Sequence, residues 1–470
     1  MEKENKMGTE KVSRLLLSMG IPVMISMVLQ AMYNIVDSMF VARMPDTGGI
    51  AHSGELAVNA LTLAFPVQML IVAFGIGTGV GVGARLSRML GQKKTEEAGR
   101  TAGNGIFMAL LITAAFMIFG LTGTRAYLAT QTADQTVLDM GTGYLQICTI
   151  LCAGNVLYGI YEKLLQSTGK TMFSTIAMIC GALTNVVLDP VLIYGLAGAP
   201  QLGVIGAAWA TVIGQFVSLF LAMFFQYRFN KEIPAGISYL RPSLETIRGI
   251  YSIGFSAIVM QALMSFMTYG VNIIFGQVSA NAVTAYGIFY KIQQFIFFAG
   301  FGLRDSITPL VAYNYGKGAK DRIKDGIRFG ILDTEVVMAV GIILLQLFAH
   351  PLAAVFGLTA ETEVLCIRAM RIISTGFLFA GFNIAAQGIF QALEAGNSSL
   401  IVSILRLLAV PLPLALLLTH TASPEMLIWW AFPAGELAAA IVALLLLLRV
   451  SRKVLSQDPG MAMQQSAAQA

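Results

Sequence analysis

Charge is what this chain has little of. Asp, Glu, Lys and Arg make up 12 % of its 470 residues and apolar side chains 56 %, whereas a soluble domain carries about a quarter charged residues. A soluble fold of this length is excluded. Histidine (three) and cysteine (four) are scarce too. Cys148 and Cys152 form one C-x3-C pair with no second pair and no histidine cluster, so they, Cys180 and Cys366 read as small packing residues. His52 and His420 fall in outer loops and His350 at a helix end, none beside a catalytic or metal-binding partner. No H-E-x-x-H, G-x-S-x-G or paired-aspartate motif occurs. An enzyme is not expected, nor any cofactor.

What is present is apolar length. Runs able to cross about 30 Å of hydrocarbon as helices lie near 15–41, 56–84, 99–121, 137–159, 168–196, 203–226, 247–275, 282–313, 326–348, 364–390, 398–419 and 427–448. These are twelve spans. Gly79-Val-Gly81-Val-Gly83-Ala84 satisfies G-x-G-x-x-A, yet it lies inside the second span without the preceding strand that a dinucleotide site needs. Gly75, Gly79 and Gly83 read instead as a small-xxx-small stripe for close helix approach.

The chain also repeats itself. Ser18-Met19-Gly20 returns as Ser252-Ile253-Gly254, and Asn59-Ala60-Leu61-Thr62 as Asn281-Ala282-Val283-Thr284. Later echoes, Gly91-Gln92-Lys93 with Gly316-Lys317-Gly318 and Gly169-Lys170 with Gly396-Asn397, keep an offset of about 225–227. A period this long marks two homologous halves. Six spans return each half to its starting side, which predicts two six-helix lobes related by a pseudo-two-fold along the membrane normal. The expected layout is an N-terminus at 1–14, lobes at 15–227 and 248–449, a polar linker at 228–247 and a tail at 450–470. Basic residues gather on alternate loops and at both ends, for example Arg85, Arg88, Lys93, Lys94 and Arg100, then Lys317, Lys320, Arg322, Lys324 and Arg328. The positive-inside rule puts both termini in the cytoplasm. The net charge of +5 is then a topology signal, with no nucleic-acid partner implied. Nothing at the N-terminus resembles a cleaved signal segment. A multi-pass plasma-membrane protein, expected to be bacterial and monomeric, is the reading.

Acids inside spans are costly and by default mark function. Asp37 shares a helix face with Tyr33 and Asn34, and Asp189 stands one turn above Asn185 and before Pro190. From Arg14 to Asp37 and from Lys170 to Asp189 the helical rise is roughly 28–35 Å, so the two acids reach similar depth; Thr211 in the sixth span falls there too. An aspartate at that depth is also able to reach the outer headgroups, and Pro190 to mark no more than a bend. The second half argues otherwise. Carried forward by the repeat, Asp37 becomes Val271, Asn185 becomes Leu412 and Asp189 becomes Leu416. The same scaffold stands without acids, so the pair suits reversible binding of H+ or Na+.

Tyr33-Asn34-x-x-Asp37 with Pro22, Asn185-x-x-x-Asp189-Pro190, Gly203-x-x-Gly206-Ala207-Ala208-x-Ala210-Thr211 and Ala285-Tyr286-Gly287-Ile288-x-x-Lys291 together resemble the multidrug and toxic compound extrusion (MATE) family, in its bacterial DinF-like and MepA-like branches. The resemblance covers about residues 10–450. It implies two six-helix lobes around a central cavity and export of organic cations or amphipathic drugs by antiport against H+ or Na+. The family's N-lobe cation site would fall on Asp37, Asn185, Asp189 and Thr211, with Na+, where used, at Asp37 and Asp189. A branch of the family holds its coupling cation in the second lobe on acids of the seventh and tenth spans. This chain has Gln261 in the seventh and Asn383 and Gln387 in the tenth, which puts second-lobe coupling of that type in doubt.

Gln261, Lys291, Gln294, Asn383 and Gln387 are candidates for a cavity lining, against a polar network between helices. Met24, Met27, Met260, Met264 and Met267 either form an adaptable apolar wall or pack between helices. Arg304 and Asp305 read as a local pair and Arg406 and Glu436 as a structural ion pair. The alternative function is a flippase of the same superfamily for a lipid-linked or amphipathic substrate, from which a more cationic cavity is expected.

Overall fold

A computed structural model describes residues 5–45, 53–356 and 358–456, without the side chains of Asn34, Ile35 and Glu55. Among the described residues there is no strand. The helices are α1 (Val12–Ala42), α2 (Ser53–Gly91), α3 (Thr95–Thr122), α4 (Thr124–Ala129), α5 (Gln135–Ile150), α6 (Ala153–Ser167), α7 (Thr171–Tyr194), α8 (Val204–Phe229), α9 (Leu244–Gly276), α10 (Ala280–Lys317), α11 (Lys320–Ala354), α12 (Ala360–Ser374), α13 (Phe377–Ala392), α14 (Gly396–Ile404), α15 (Pro411–Thr419), α16 (Pro424–Leu427) and α17 (Ala431–Ser456). Ten stretches are long and apolar enough to cross a membrane, and two bent helix pairs bring the total to twelve.

Those bent pairs correct the fourth and tenth predicted spans, each expected as a single helix. α5 and α6 meet at 41°, α12 and α13 at 54°. The breaks, at 151–152 and 375–376, are about 224 residues apart, so they are the same break made twice. Hydropathy has no means of seeing it, because the residues stay apolar while the backbone turns. At the second break Gly376 lies so near Pro433 that a Cβ would come within 2.8 Å of its Cα. The eleventh span is interrupted as well, by a π-helical turn at Leu405–Ala409.

The chain forms two compact units, Ile25–Leu86 with Thr95–Ile258, and Met1–Met24 with Ser87–Lys94 and Val259–Ala470. The boundaries differ from the expected lobes in cutting α1, α2 and α9. Glycine contacts explain the cuts: a Cβ on Gly302 would meet Met24 Cα at 2.7 Å, and one on Gly81 would meet the Ile250 carbonyl oxygen at 2.2 Å. Each end of these long helices packs into its own unit.

In the unit built on Ile25–Leu86 and Thr95–Ile258, successive glycines of α2 face two helices in turn. Gly79 and Gly83 abut Lys163 and Ser167 of α6, and Gly77 and Gly81 abut Ile258 and Ile250 of α9. The small-residue stripe is a packing device, as its spacing suggests. Lys163 is buried in α6, donating to Gln166 Oε1 at 2.9 Å. The linker is structured too: Ile237–Leu240 forms a 3-10 turn, and Asn104 donates to the Arg241 carbonyl (3.2 Å) while accepting from Ser243 N (2.7 Å).

In the other unit, Phe275, Tyr286, Trp429 and Phe432 interlock, with Tyr286 stacked on Phe432 at 5.3 Å and Phe275 edge-on to Trp429 at 5.2 Å. The N-terminal segment is anchored there. Met7 is wholly buried, and its carbonyl accepts from Asn314 Nδ2 (3.0 Å) and Arg322 Nη2 (2.9 Å).

Candidate functional site

Close packing of α7 on α8 builds the site. A Cβ on Gly214 would meet the Gly181 carbonyl oxygen at 2.7 Å, and one on Gly206 would meet that of Leu192 at 2.5 Å. Ala207, Ala208 and Ala210 are fully buried, so the Gly-Ala run that opens α8 lets the two helices run side by side. Gly195 and Gly203, at φ of 75° and 57°, make the turn between them. Asn185 is thereby set opposite Thr211, its Nδ2 lying 3.5 Å from Thr211 Oγ1 and 3.3 Å from Asp189 Oδ1.

Pro190 does not end the helix, which continues to Tyr194. Having no N–H, it leaves the Val186 carbonyl without its usual helical donor. Asp189 is 0 % exposed, and its carboxyl group is within hydrogen-bonding reach of that of Asp37 from α1. The structure thus brings together Asp37, Asn185, Asp189 and Thr211. Tyr33 is half-buried one turn before Asp37; the side chain of Asn34 lies outside the described residues. Three buried acceptors in this cluster have no donor: Asp37 Oδ1, Asp189 Oδ2 and Asn185 Oδ1. Unsatisfied carboxyl oxygens in a low-dielectric site are costly, and a proton or small cation is what relieves them.

The second-half candidates separate. Gln294 lines a cavity, with Gln293 and the methionines Met260, Met264 and Met267. Asn383 and Gln387 are fully buried and are not among its lining residues. Asn383 donates to Glu436 Oε2 (2.8 Å) and Gln387 to Ser403 Oγ (2.9 Å), so both serve a polar network between helices. Gln261 is half-buried and Lys291 exposed, each outside that lining. Arg304 and Asp305 pair at 2.9 Å. Arg406 and Glu436 pair at 2.7 Å and, beyond the structural role expected, both line the cavity.

Sequence reasoning missed two acids. Asp333 and Glu335 fall inside the predicted ninth span, and each keeps one buried oxygen, Asp333 Oδ2 and Glu335 Oε2, without a partner. The rule that singled out Asp37 and Asp189, an acid within an apolar run, applied equally to them.

A two-half, twelve-span helical membrane protein with a carboxyl pair on its first and fifth spans, Asp189 buried and Asp37 half-buried, is the class this fold and site define. The family model described as MatE matches residues 22–191 and again 256–417, and the chain belongs to that family. The double match reports the same internal repeat. The chain is 26 % identical over 394 residues to "Multidrug export protein MepA" of Staphylococcus haemolyticus (strain JCSC1435), covering 84 % of each chain. To the protein of the same name from Staphylococcus aureus (strain MSSA476) it is 26 % identical over 440 residues, 93 % of this chain and 94 % of that one. Among solved structures, "Outward-facing conformation of a multidrug resistance MATE family transporter of the MOP superfamily" aligns with a TM-score of 0.89 at 22 % identity, over 97 % of this chain and 100 % of that one. At that identity the likeness shows the fold.

Proposed function

We propose that this chain is a secondary active exporter of organic cations and amphipathic drugs, working in the bacterial plasma membrane by antiport against H+ or Na+. Membership of the family and the names of its staphylococcal relatives support the substrate class. The carrying observation for coupling is the Asp37–Asp189 contact with three acceptor oxygens left unsatisfied around it. Two ionised carboxylates in contact repel strongly in low dielectric, so the pair is held by a shared proton or a bound cation.

Loading the pair from outside favours one arrangement of the first-half helices, and drug binding favours the other. The two sites are then linked through one conformational equilibrium, and alternating access follows if each arrangement opens to a different side. Purified protein in liposomes tests this under an imposed pH gradient and, separately, a Na+ gradient. Drug export driven by the pH gradient is expected; drive by Na+ alone would move the coupling ion to Na+, and drive by neither would refute antiport.

A further inference from the structure

The linker leaves α8 from a cluster of rings. Phe173 of α7 stacks on Phe229 and tilts against Phe225, each at 5.0 Å, and Phe224, Tyr227 and Phe229 are all exposed. Exposed aromatic side chains at the end of a span mark the headgroup level of a bilayer. From there the chain folds back along α3. A Cβ on Gly99 would lie 3.0 Å from the Tyr239 ring, and one on Gly103 would overlap the Tyr239 carbonyl oxygen. Asn104 then fixes Arg241 and Ser243. Gly99 opens the predicted third span, so the residues packed on it lie where headgroups meet hydrocarbon.

Ile237 stands in the 3-10 turn between these anchors. It is 87 % exposed, the most of any large apolar side chain among the described residues. The turn holds it there: the Tyr239 N–H donates to the Gly236 carbonyl at 3.1 Å and that of Arg241 to the Ser238 carbonyl at 3.4 Å. In water such an isoleucine forgoes the gain of burial, which acyl chains would restore. Cations flank it in sequence. Arg228, Lys231, Arg241 and Arg248 are exposed, and among the described residues none of them is in an ion pair. Glu232 is taken by Lys170 at 3.0 Å, which leaves Glu245 against these four cations between 228 and 248. A fixed apolar side chain with unpaired cations around it, at headgroup depth, is complementary to an anionic leaflet.

We propose that the linker at 230–243 is a membrane-surface anchor, in which Ile237 enters the acyl boundary while Lys231 and Arg241 hold the headgroups of anionic phospholipids. The tie between the two repeats is thereby fastened to the leaflet beside α3. This goes beyond the export reading and does not depend on it.

The test places a bimane probe on Ile237→Cys in the full chain with its native cysteines replaced. The protein is reconstituted in phosphatidylcholine vesicles with or without about a quarter phosphatidylglycerol, and a phosphatidylcholine with a nitroxide near the head of its acyl chain is the quencher. Leu332→Cys, on the exposed face of α11, is the inserted reference and the exposed Ser423→Cys the solvent reference. With phosphatidylglycerol present, quenching at Ile237→Cys should come within about twofold of that at Leu332→Cys. Adding Lys231→Gln and Arg241→Gln, or leaving out phosphatidylglycerol, should lower it at least about threefold. Quenching no greater than at Ser423→Cys would overturn the anchor, and quenching indifferent to lipid charge and to both substitutions would overturn the headgroup contact it requires. A probe open to water in vesicles but shielded in native membranes would give the surface to a protein partner and refute the proposal. Should the cysteine-free chain fail to fold, native mass spectrometry decides: with the native cysteines kept, the Lys231→Gln/Arg241→Gln variant should retain about threefold less phosphatidylglycerol than the unaltered protein, and equal retention would overturn the anchor.

Discussion

Arg406 and Glu436 face each other 30 positions apart, Nη2 to Oε1 at 2.7 Å, with side chains only 4 % and 13 % exposed. Arg406 belongs to the π turn at Leu405–Ala409. Extra residues in a helical turn of this kind often mark functional positions. Removing one partner of a buried ion pair leaves the other charge unpaired and costs about 3–5 kcal/mol. Arg406→Gln and Glu436→Gln alone should therefore each lower the unfolding temperature of the detergent-solubilised protein sharply. The double variant should recover more than half of the loss, and additive losses would show that the pair is not coupled.

The carboxyl pair of the first half makes a different prediction, about transport. Asp37→Asn and Asp189→Asn should each cut gradient-driven export at least tenfold with normal amounts of protein in the membrane. Val271→Ile and Leu416→Met, at the repeat-equivalent positions, should leave it within twofold. Export assays in everted vesicles compare all four.

Thr211 and Asn185 supply neutral groups to the same cluster. Loss of one such hydrogen bond is worth about 1–2 kcal/mol, or roughly a 5- to 30-fold change. Thr211→Val should weaken the coupling ion's half-saturation by that factor, whereas Thr211→Ser, which keeps the hydroxyl, should stay near the original. Equal effects of both would make the position one of packing.

Helix packing through α2 is testable by single methyl groups. A Cβ at Gly81 would lie 2.2 Å from the Ile250 carbonyl oxygen, while at Gly75 the nearest atom is 3.7 Å away. Gly81→Ala should destabilise by about 1–3 kcal/mol, and Gly75→Ala should be neutral or gain about 0.4–1 kcal/mol. Thermal unfolding of the purified variants measures both.

Orientation is decided by labelling. Both termini and the 228–247 linker are expected in the cytoplasm. With the native cysteines replaced, Ser423→Cys should react with an impermeant maleimide in intact cells and Ser238→Cys should not; both positions are exposed. Labelling of Ser238→Cys from outside would reverse the topology.

Hydropathy and repetition made the membrane class, the twelve spans and the two halves legible in the sequence, because both are properties of neighbouring residues along the chain. The cost of burying a charge marks Asp37 and Asp189 for the same reason, and it marks Asp333 and Glu335 equally. The tertiary structure alone decided which polar groups meet. Asn185 reaches Thr211 because glycines bring α7 and α8 together, Asn383 turns to Glu436 instead of a cavity, and the fourth and tenth spans break at matching places. Those outcomes depend on the shapes of surfaces distant in sequence, and apolar runs of the same hydropathy fit either a straight helix or a bent one.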